Sequence, residues 1–220
     1  LRNVRVKICG LTREEDLTEA ISSGTDAVGF LVGVPSSPRN LSLEMAKILL
    51  SKVPVFVNSI VVTIPKSIEW LLEVREKLNP SAIQIHGKEH IGSLKIRESM
   101  KNTRLIKTVY VTEDVLKEET IENLKTFDAV LLDSFSKGQY GGTGKVHDWN
   151  LSKQIKEAVY PVPVILAGGL KPENVKEAIM MVKPYAVDVA SGVEAIPGVK
   201  DHEKVRAFVE NAKKIKIDNN

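Results

Sequence analysis

A (β/α)8 TIM barrel, of the α/β class, is the fold the sequence predicts, and three observations predict it. Short β-branched runs alternate with longer amphipathic runs eight times, in strict order. Several of the short runs are apolar on both faces, as parallel strands sandwiched between other layers must be. No Gly/Ser-rich linker or break in composition divides the chain. A doubly wound sheet is the rival architecture, but eight strands each followed by a helix favour closure. The expectation is a single barrel domain over 1–216, with 217–220 as a frayed C-terminal tail.

The expected strands are Val4–Ile8, Ala27–Val32, Val53–Asn58, Ala82–Ile85, Leu105–Val111, Ala129–Leu132, Val162–Leu166 and Ala186–Val189. The expected helices are Arg13–Ser22, Leu43–Ser51, Lys66–Leu78, Glu89–Met100, Val115–Thr126, Leu151–Val159, Pro172–Val182 and Asp201–Lys213. Local chemistry supports their starts. Thr12 followed by Glu15 is a capping-box pattern, and Ser42 stands as a cap before Leu43. Pro172 falls where a first-turn amide needs no partner, with Glu173 beside the positive helix end.

Composition narrows the function. Of 220 residues, 43% are hydrophobic and 27% charged, so the chain is expected to fold and to bury a sizeable core. The net charge is +3, lysines are interleaved with acids, and only 5% of residues are aromatic, which does not suggest nucleic-acid binding. The single cysteine excludes an internal disulfide framework and a multi-cysteine zinc site. No apolar run is long enough to span a bilayer, and Val4–Lys7 reads as a strand rather than a signal segment. The expected place is the cytoplasm, with no membrane partner.

In a barrel, reactive groups belong at the C-terminal ends of the strands. Strand one ends at Cys9-Gly10, where a thiolate with a lowered pKa can serve as base or nucleophile. A lone cysteine is more often a small buried hydrophobe. Strand six delivers Asp133 at its tip; the ordinary reading of such an acid is a turn or cap. Strands one and six lie on different sides of the barrel mouth, so Cys9 and Asp133 can face each other across a substrate. An acid and a base on different atoms are what a proton-shuttling isomerase needs. Gly168-Gly169 after strand seven and Ser191-Gly192 after strand eight fall where this fold binds phosphate. Arg39, in the Pro35–Arg39 loop, is suited to grip a carboxylate in a bidentate manner, although such an arginine is ordinarily solvated. His86, at the end of strand four, either faces the site or fills a rim position, and His86, His90, His147 and His202 show no metal-ligand spacing.

The stretch from Asp128 to Trp149 taken alone looks like a complete site, with Asp133, the glycine-rich Gly141–Lys145 loop, Asp148 and Trp149. It is not a P-loop. Gly138 and Gly144 enclose five residues rather than four, and Val146 follows the lysine.

The segments Lys7–Thr12, Asp26–Phe30, Pro35–Arg39, Gln84–Gly87, Leu131–Asp133, Tyr140–Lys145, Asp148-Trp149, Ala167–Leu170, Pro172–Val175 and Val187–Glu194 together resemble the phosphoribosylanthranilate isomerase family. The likeness runs through the whole chain in order. It implies a cofactor-free, metal-free isomerase of tryptophan biosynthesis, a monomer or homodimer acting on a small phosphorylated substrate. The reaction is an Amadori rearrangement of N-(5-phosphoribosyl)anthranilate to 1-(2-carboxyphenylamino)-1-deoxyribulose 5-phosphate. By the resemblance, Asp133 is the general acid, Cys9 the general base and Arg39 the holder of the anthranilate carboxylate. Gly168, Gly169, Ser191 and Gly192 match the phosphate loops, Gly142 matches a loop folding over the substrate, and His86 and Asp188 fall in matching segments. The chain departs from the pattern at Ser59, where acids are common, and at Ala190, where serine is common. Asp133 is then expected to have a raised pKa, and Cys9 one lowered by Lys7, two residues earlier on the same strand face. Other readings are an indole-glycerol-phosphate-synthase-like barrel, a non-catalytic sugar-phosphate binder, and a redox-sensing thiol at Cys9.

Overall fold

Side chains alternate inward and outward along each strand of the computed structural model, which describes residues 1–87, 92–134 and 147–218. Eight strands form the barrel: β1 (Arg5–Cys9), β2 (Ala27–Val32), β3 (Asn58–Thr63), β4 (Ala82–Ile85), β5 (Leu105–Tyr110), β6 (Ala129–Asp133), β7 (Val164–Leu166) and β8 (Ala186–Val189). Each pairs in parallel with its sequence neighbours, and β1 pairs with both β8 and β2, through Lys7 opposite Asp188 and Ile8 opposite Val28. The ring is therefore closed, as expected. The helices between and after the strands are α1 (Glu14–Ser22), α2 (Leu43–Leu50), α3 (Ile68–Leu78), α4 (Ser93–Ser99), α5 (Glu118–Leu124), α6 (Trp149–Ala158), α7 (Val175–Val182) and α8 (His202–Lys213).

The alternation sets up two cores. Val6, Ile8, Phe30, Val61, Ile83, Leu132, Leu166 and Val187 point outward and join the large cluster beneath the helices. Ile60, Ala82, Ile106, Ala129, Leu131, Ile165, Ala167 and Ala186 form a separate cluster inside the ring. Continuing the inward parity toward the C-terminal strand ends gives Lys7, Cys9, Gln84, Thr108, Asp133 and Asp188, all buried. The lumen is thus apolar below and polar above, and the polar end is where the fold places chemistry.

Several expectations need correction. Strand three is Asn58–Thr63, not Val53–Asn58. Pro54 lacks the amide that a central strand must donate, and Val55 and Phe56 stand 94% and 97% exposed in the loop before it. The capping box does not form: Arg13 occupies the cap position of α1, and the Thr12 hydroxyl instead donates to the Gly198 carbonyl at 2.6 Å. Helix seven begins at Val175, one turn after Pro172, with Asn174 at its cap. The helix expected over Val115–Thr126 is a 3-10 turn at Glu113–Leu116 followed by α5. Ile217 is not frayed: Lys216–Ile217 pairs antiparallel with Arg2–Asn3, and Ile217 is buried. Ser42 does cap α2, accepting from the Met45 amide at 3.1 Å. Among the described residues, no helix is long and apolar enough to cross a membrane.

Candidate active site

The ends of β6, β7 and β8 converge on one pocket, lined by Asp133, Gly168, Gly169, Asp188, Ser191 and Gly192 among others. Two glycines there are required by geometry. Gly168 has φ +76, and a side chain on it would collide with the Ser134 amide and stand 3.0 Å from Asp133 Oδ1. A side chain on Gly192 would collide with the Leu170 carbonyl, so the loops after β7 and β8 approach as closely as bare backbone permits. Ser191–Val193 forms a short 3-10 turn at the pocket wall. A larger cavity of about 430 Å³ lies at the opposite, N-terminal end of the strands. Its acids are committed to the scaffold, Asp26 accepting from the Val6 amide and Asp128 from the Leu105 amide, each at 2.8 Å. Of the expected site residues it reaches none, so the smaller pocket is the candidate site despite its size.

Asp133 ends β6 and is buried, with Oδ1 accepting from the Ser134 amide at 2.8 Å. Burial raises its pKa from 3.8 to about 6, the Ser134 amide opposes the rise, and the charge of Asp188 adds to it. This is the expected direction. The thiol of Cys9 goes the other way from expectation. Burial pushes it above the ordinary thiol range, and although Lys7 pulls it down, desolvation wins. Lys7 is weakened as a partner because its ammonium is already shared, donating to Gln84 Oε1 at 2.9 Å and to Asp188 Oδ1 at 3.0 Å.

Arg39 is 12% exposed at its side chain rather than solvated. Its Nε and one terminal nitrogen donate to the two oxygens of Glu194 at 2.7 and 2.6 Å. Glu194 also accepts from the buried Lys200 Nζ at 3.0 Å, and Lys200 donates to the Ala190 carbonyl at 2.9 Å. These bonds connect the arginine to the loop after β8. Arg39 also fills the space above Gly10, where a side chain would collide with its Cδ. His86 ends β4, buried and edge-on to Tyr110 at 6.1 Å between ring centres. Burial, with Lys7 and Lys107 adding to it, lowers its pKa to about 4, so it is neutral at physiological pH.

The structure therefore brings Asp133, Gly168, Gly169, Asp188, Ser191 and Gly192 together, with Cys9 linked to them through Lys7. Gly142 and the Gly141–Lys145 loop lie outside the described residues, as does His90. Asp148 caps α6 through the Asn150 amide at 2.8 Å, and Trp149 packs into the core. Gln84 and Lys200 are among the residues that carry the resemblance, but sequence reading gave neither them nor Thr108 a role. The signal was present for Gln84, the one polar residue of an otherwise apolar strand, and weaker for Thr108, which follows Lys107 on β5. Among the described residues, no group of three or more His, Cys, Asp or Glu is placed to hold a metal ion.

The family model described as N-(5'phosphoribosyl)anthranilate (PRA) isomerase matches residues 6–211. The N-(5'-phosphoribosyl)anthranilate isomerase of Methanosarcina acetivorans is 45% identical over 95% of this chain and 93% of its own length. The crystal structure of phosphoribosyl anthranilate isomerase from Thermotoga maritima superposes with TM-score 0.85 at 40% identity, covering 96% of this chain and 100% of that one. A phosphoribosyl anthranilate isomerase in complex with reduced 1-(o-carboxyphenylamino)-1-deoxyribulose 5-phosphate gives TM-score 0.82 at 38% identity, with the same coverage. Mutually generated monomers of the dimeric Thermotoga maritima enzyme give 0.79 at 36% identity, again covering 96% and 100%.

Proposed function

The chain belongs to the PRA isomerase family, and from that premise we propose that Asp133 and Cys9 are its general acid and general base. The reaction is the conversion of N-(5-phosphoribosyl)anthranilate to 1-(2-carboxyphenylamino)-1-deoxyribulose 5-phosphate, a step of tryptophan biosynthesis. Its chemistry is two proton transfers on different atoms. The Asp133 carboxyl gives its proton to the furanose ring oxygen, the C1′–O bond breaks and a Schiff base forms. The Cys9 thiolate takes the C2′ proton, and the resulting enolamine tautomerises to the ketone. One proton enters and one leaves, so no cofactor is needed.

The observation that carries the assignment is the raised, buried carboxyl of Asp133 beside the glycine-walled pocket. A carboxylic acid near pKa 6 keeps roughly a tenth of its population protonated at pH 7, where an ordinary aspartate keeps about a thousandth. We assign the substrate phosphate to the backbone amides around Gly168-Gly169 and Ser191-Gly192, supported by the close approach of those loops. We assign the anthranilate carboxylate to Arg39. Glu194 engages two of the five guanidinium N–H groups and fixes the plane of the fork. Asp188, in the wall of that pocket, and neutral His86, at the end of β4, are assigned to the surroundings of the substrate.

The phosphate assignment has its own test. Gly192→Ala is expected to raise KM about tenfold with a smaller change in kcat, because its Cβ meets the Leu170 carbonyl and pushes the phosphate-binding amides out of place, weakening a uniform binding contact. Steady-state kinetics showing an unchanged KM would contradict it.

We propose that the enzyme works in the cytoplasm and as a homodimer. Val55 and Phe56, adjacent and 94% and 97% exposed, follow a helix whose Met45 and Ile48 are 45% and 52% exposed. Apolar side chains so displayed are characteristic of an interface. Phe56→Glu is expected to sediment as a monomer while keeping near wild-type kcat; a wild type that sediments as a monomer at micromolar concentration would rule the dimer out.

A further inference from the structure

Inside the barrel, above the apolar layer, four polar side chains from four strands form one chain of contacts. Asp188 on β8 accepts from Lys7 on β1 at 3.0 Å, Lys7 donates to Gln84 on β4 at 2.9 Å, and Gln84 donates to Thr108 on β5 at 3.0 Å. All four are buried, Lys7 at 3% exposure and Asp188, the most exposed of them, at 7%. A buried ion pair is a poor source of stability, because desolvation of both charges cancels most of their attraction and apolar replacements often do as well. Its presence directly above the apolar layer of the lumen points to another purpose.

Its orientation supplies one. Cys9 lies next to Lys7 on the same strand face: a side chain added at Gly29, on the neighbouring strand, would stand 2.7 Å from Cys9 Sγ and 3.1 Å from Lys7 Cε. The positive end of the pair therefore adjoins the thiol. Asp188 lines the same pocket as Asp133, so the negative end faces the acid. Gln84 fixes which way the pair points. Its amide nitrogen is held by Thr108, so its oxygen is turned to Lys7, and two of the three ammonium donors are fixed.

We propose that the Lys7–Asp188 pair, pinned by Gln84 and Thr108, is an oriented dipole that biases Cys9 toward thiolate and Asp133 toward the protonated acid. Lys7, Asp188 and Gln84 are then positioning residues for the reaction. The inference rests on the acid–base reading of Cys9 and Asp133. The electrostatics agree with the geometry. After burial, Lys7 is the largest influence on Cys9 and lowers its pKa, with Asp188 opposing more weakly. For Asp133 the raising effect of Asp188 exceeds the lowering effect of Lys7. The other charged groups facing the thiol are Lys200 and Arg39, which share the Glu194 carboxylate.

Because Cys9 is the chain's one cysteine, its ionisation can be followed by ultraviolet thiolate absorbance against pH, with Cys9→Ala subtracted. Lys7→Met is expected to raise the thiol midpoint by about one pH unit, a tenfold loss of thiolate at a given pH. Asp188→Asn is expected to lower the midpoint. Gln84→Leu, which frees the ammonium to move toward Asp188, is expected to cost about threefold in thiolate. If Lys7→Met leaves Asp188 unpaired and the barrel unfolds, the double variant Lys7→Met/Asp188→Asn removes both charges together, and Gln84→Leu removes neither. A midpoint equal to wild type in Gln84→Leu and in whichever Lys7 variant folds would overturn the proposal. Full turnover by Cys9→Ala would instead overturn the base assignment and leave the thiol titration as readable as before.

Discussion

Asp133→Asn is expected to lower turnover by about 10²–10⁴-fold, the ordinary worth of a general acid, while making the protein more stable at pH 8. The two effects have one cause. Asparagine keeps the shape of the side chain and the oxygen that accepts from the Ser134 amide, but it has no proton to give the ring oxygen. The stability gain follows from linkage. Folding raises the carboxyl from 3.8 to about 6, so the folded state holds the proton more tightly than the unfolded chain. That contribution is fully present below the unfolded value and is lost as pH rises through the folded one. At pH 8 the native protein carries a buried carboxylate that costs up to about 3 kcal/mol, and asparagine removes the cost. Thermal melts should separate variant from wild type at pH 8 and converge below pH 4. Equal melting at both values would mean that the carboxyl is not destabilised by its surroundings.

Cys9→Ala is expected to lower kcat by about 10²–10⁴-fold with KM within a few-fold of wild type. Nothing proposed to hold the substrate is removed: Arg39, the Gly168-Gly169 turn and the Ser191-Gly192 turn belong to other strand ends. Serine at the same position should be no better, because its hydroxyl ionises far above a thiol. The raised pKa of Cys9 has a kinetic consequence. In the free enzyme the working combination, acid protonated and thiol ionised, is a minor state, since Asp133 loses its proton at lower pH than Cys9 does. On the proposed placement of the phosphate at the glycine loops beside Asp133, bound substrate adds negative charge near the acid and favours its protonated form. A rate near wild type for Cys9→Ala would remove the thiol from the mechanism.

How much of this was legible in the residues varies with the physics behind each feature. The barrel was, because parallel strands covered on both faces need continuous apolar runs, and β2, β4 and β8 fall at their expected bounds. Strand three was not. Val53-Pro54-Val55-Phe56-Val57 is as apolar as the true strand, and the signal against it, a proline with no amide to give a ladder, was outweighed by that apolar run. Thr12 misled for a similar reason: its hydroxyl had a competing partner, the Gly198 carbonyl, far away in sequence. For the site, positions at strand tips named Cys9, Asp133 and the glycine loops. The partnerships were out of reach. Arg39 with Glu194 and Lys7 with Gln84 join residues separated by 155 and 77 positions, and the sign of the Cys9 shift depended on burial that no local pattern encodes. The Asp128–Trp149 stretch, read alone as a full site, contributes Asp133, a cap and a core tryptophan from its described residues.

The most direct test of Asp133 as the acid is the ratio of kcat/KM for wild type over Asp133→Asn, measured by loss of substrate fluorescence across pH 5 to 8. Ionisations of the thiol and of the substrate's phosphate are common to both enzymes and cancel. What remains is the protonated fraction of Asp133 in the free enzyme. The ratio is predicted to be constant below pH about 6 and to fall about tenfold per pH unit above it. A ratio that stays flat to pH 8 would contradict the assignment.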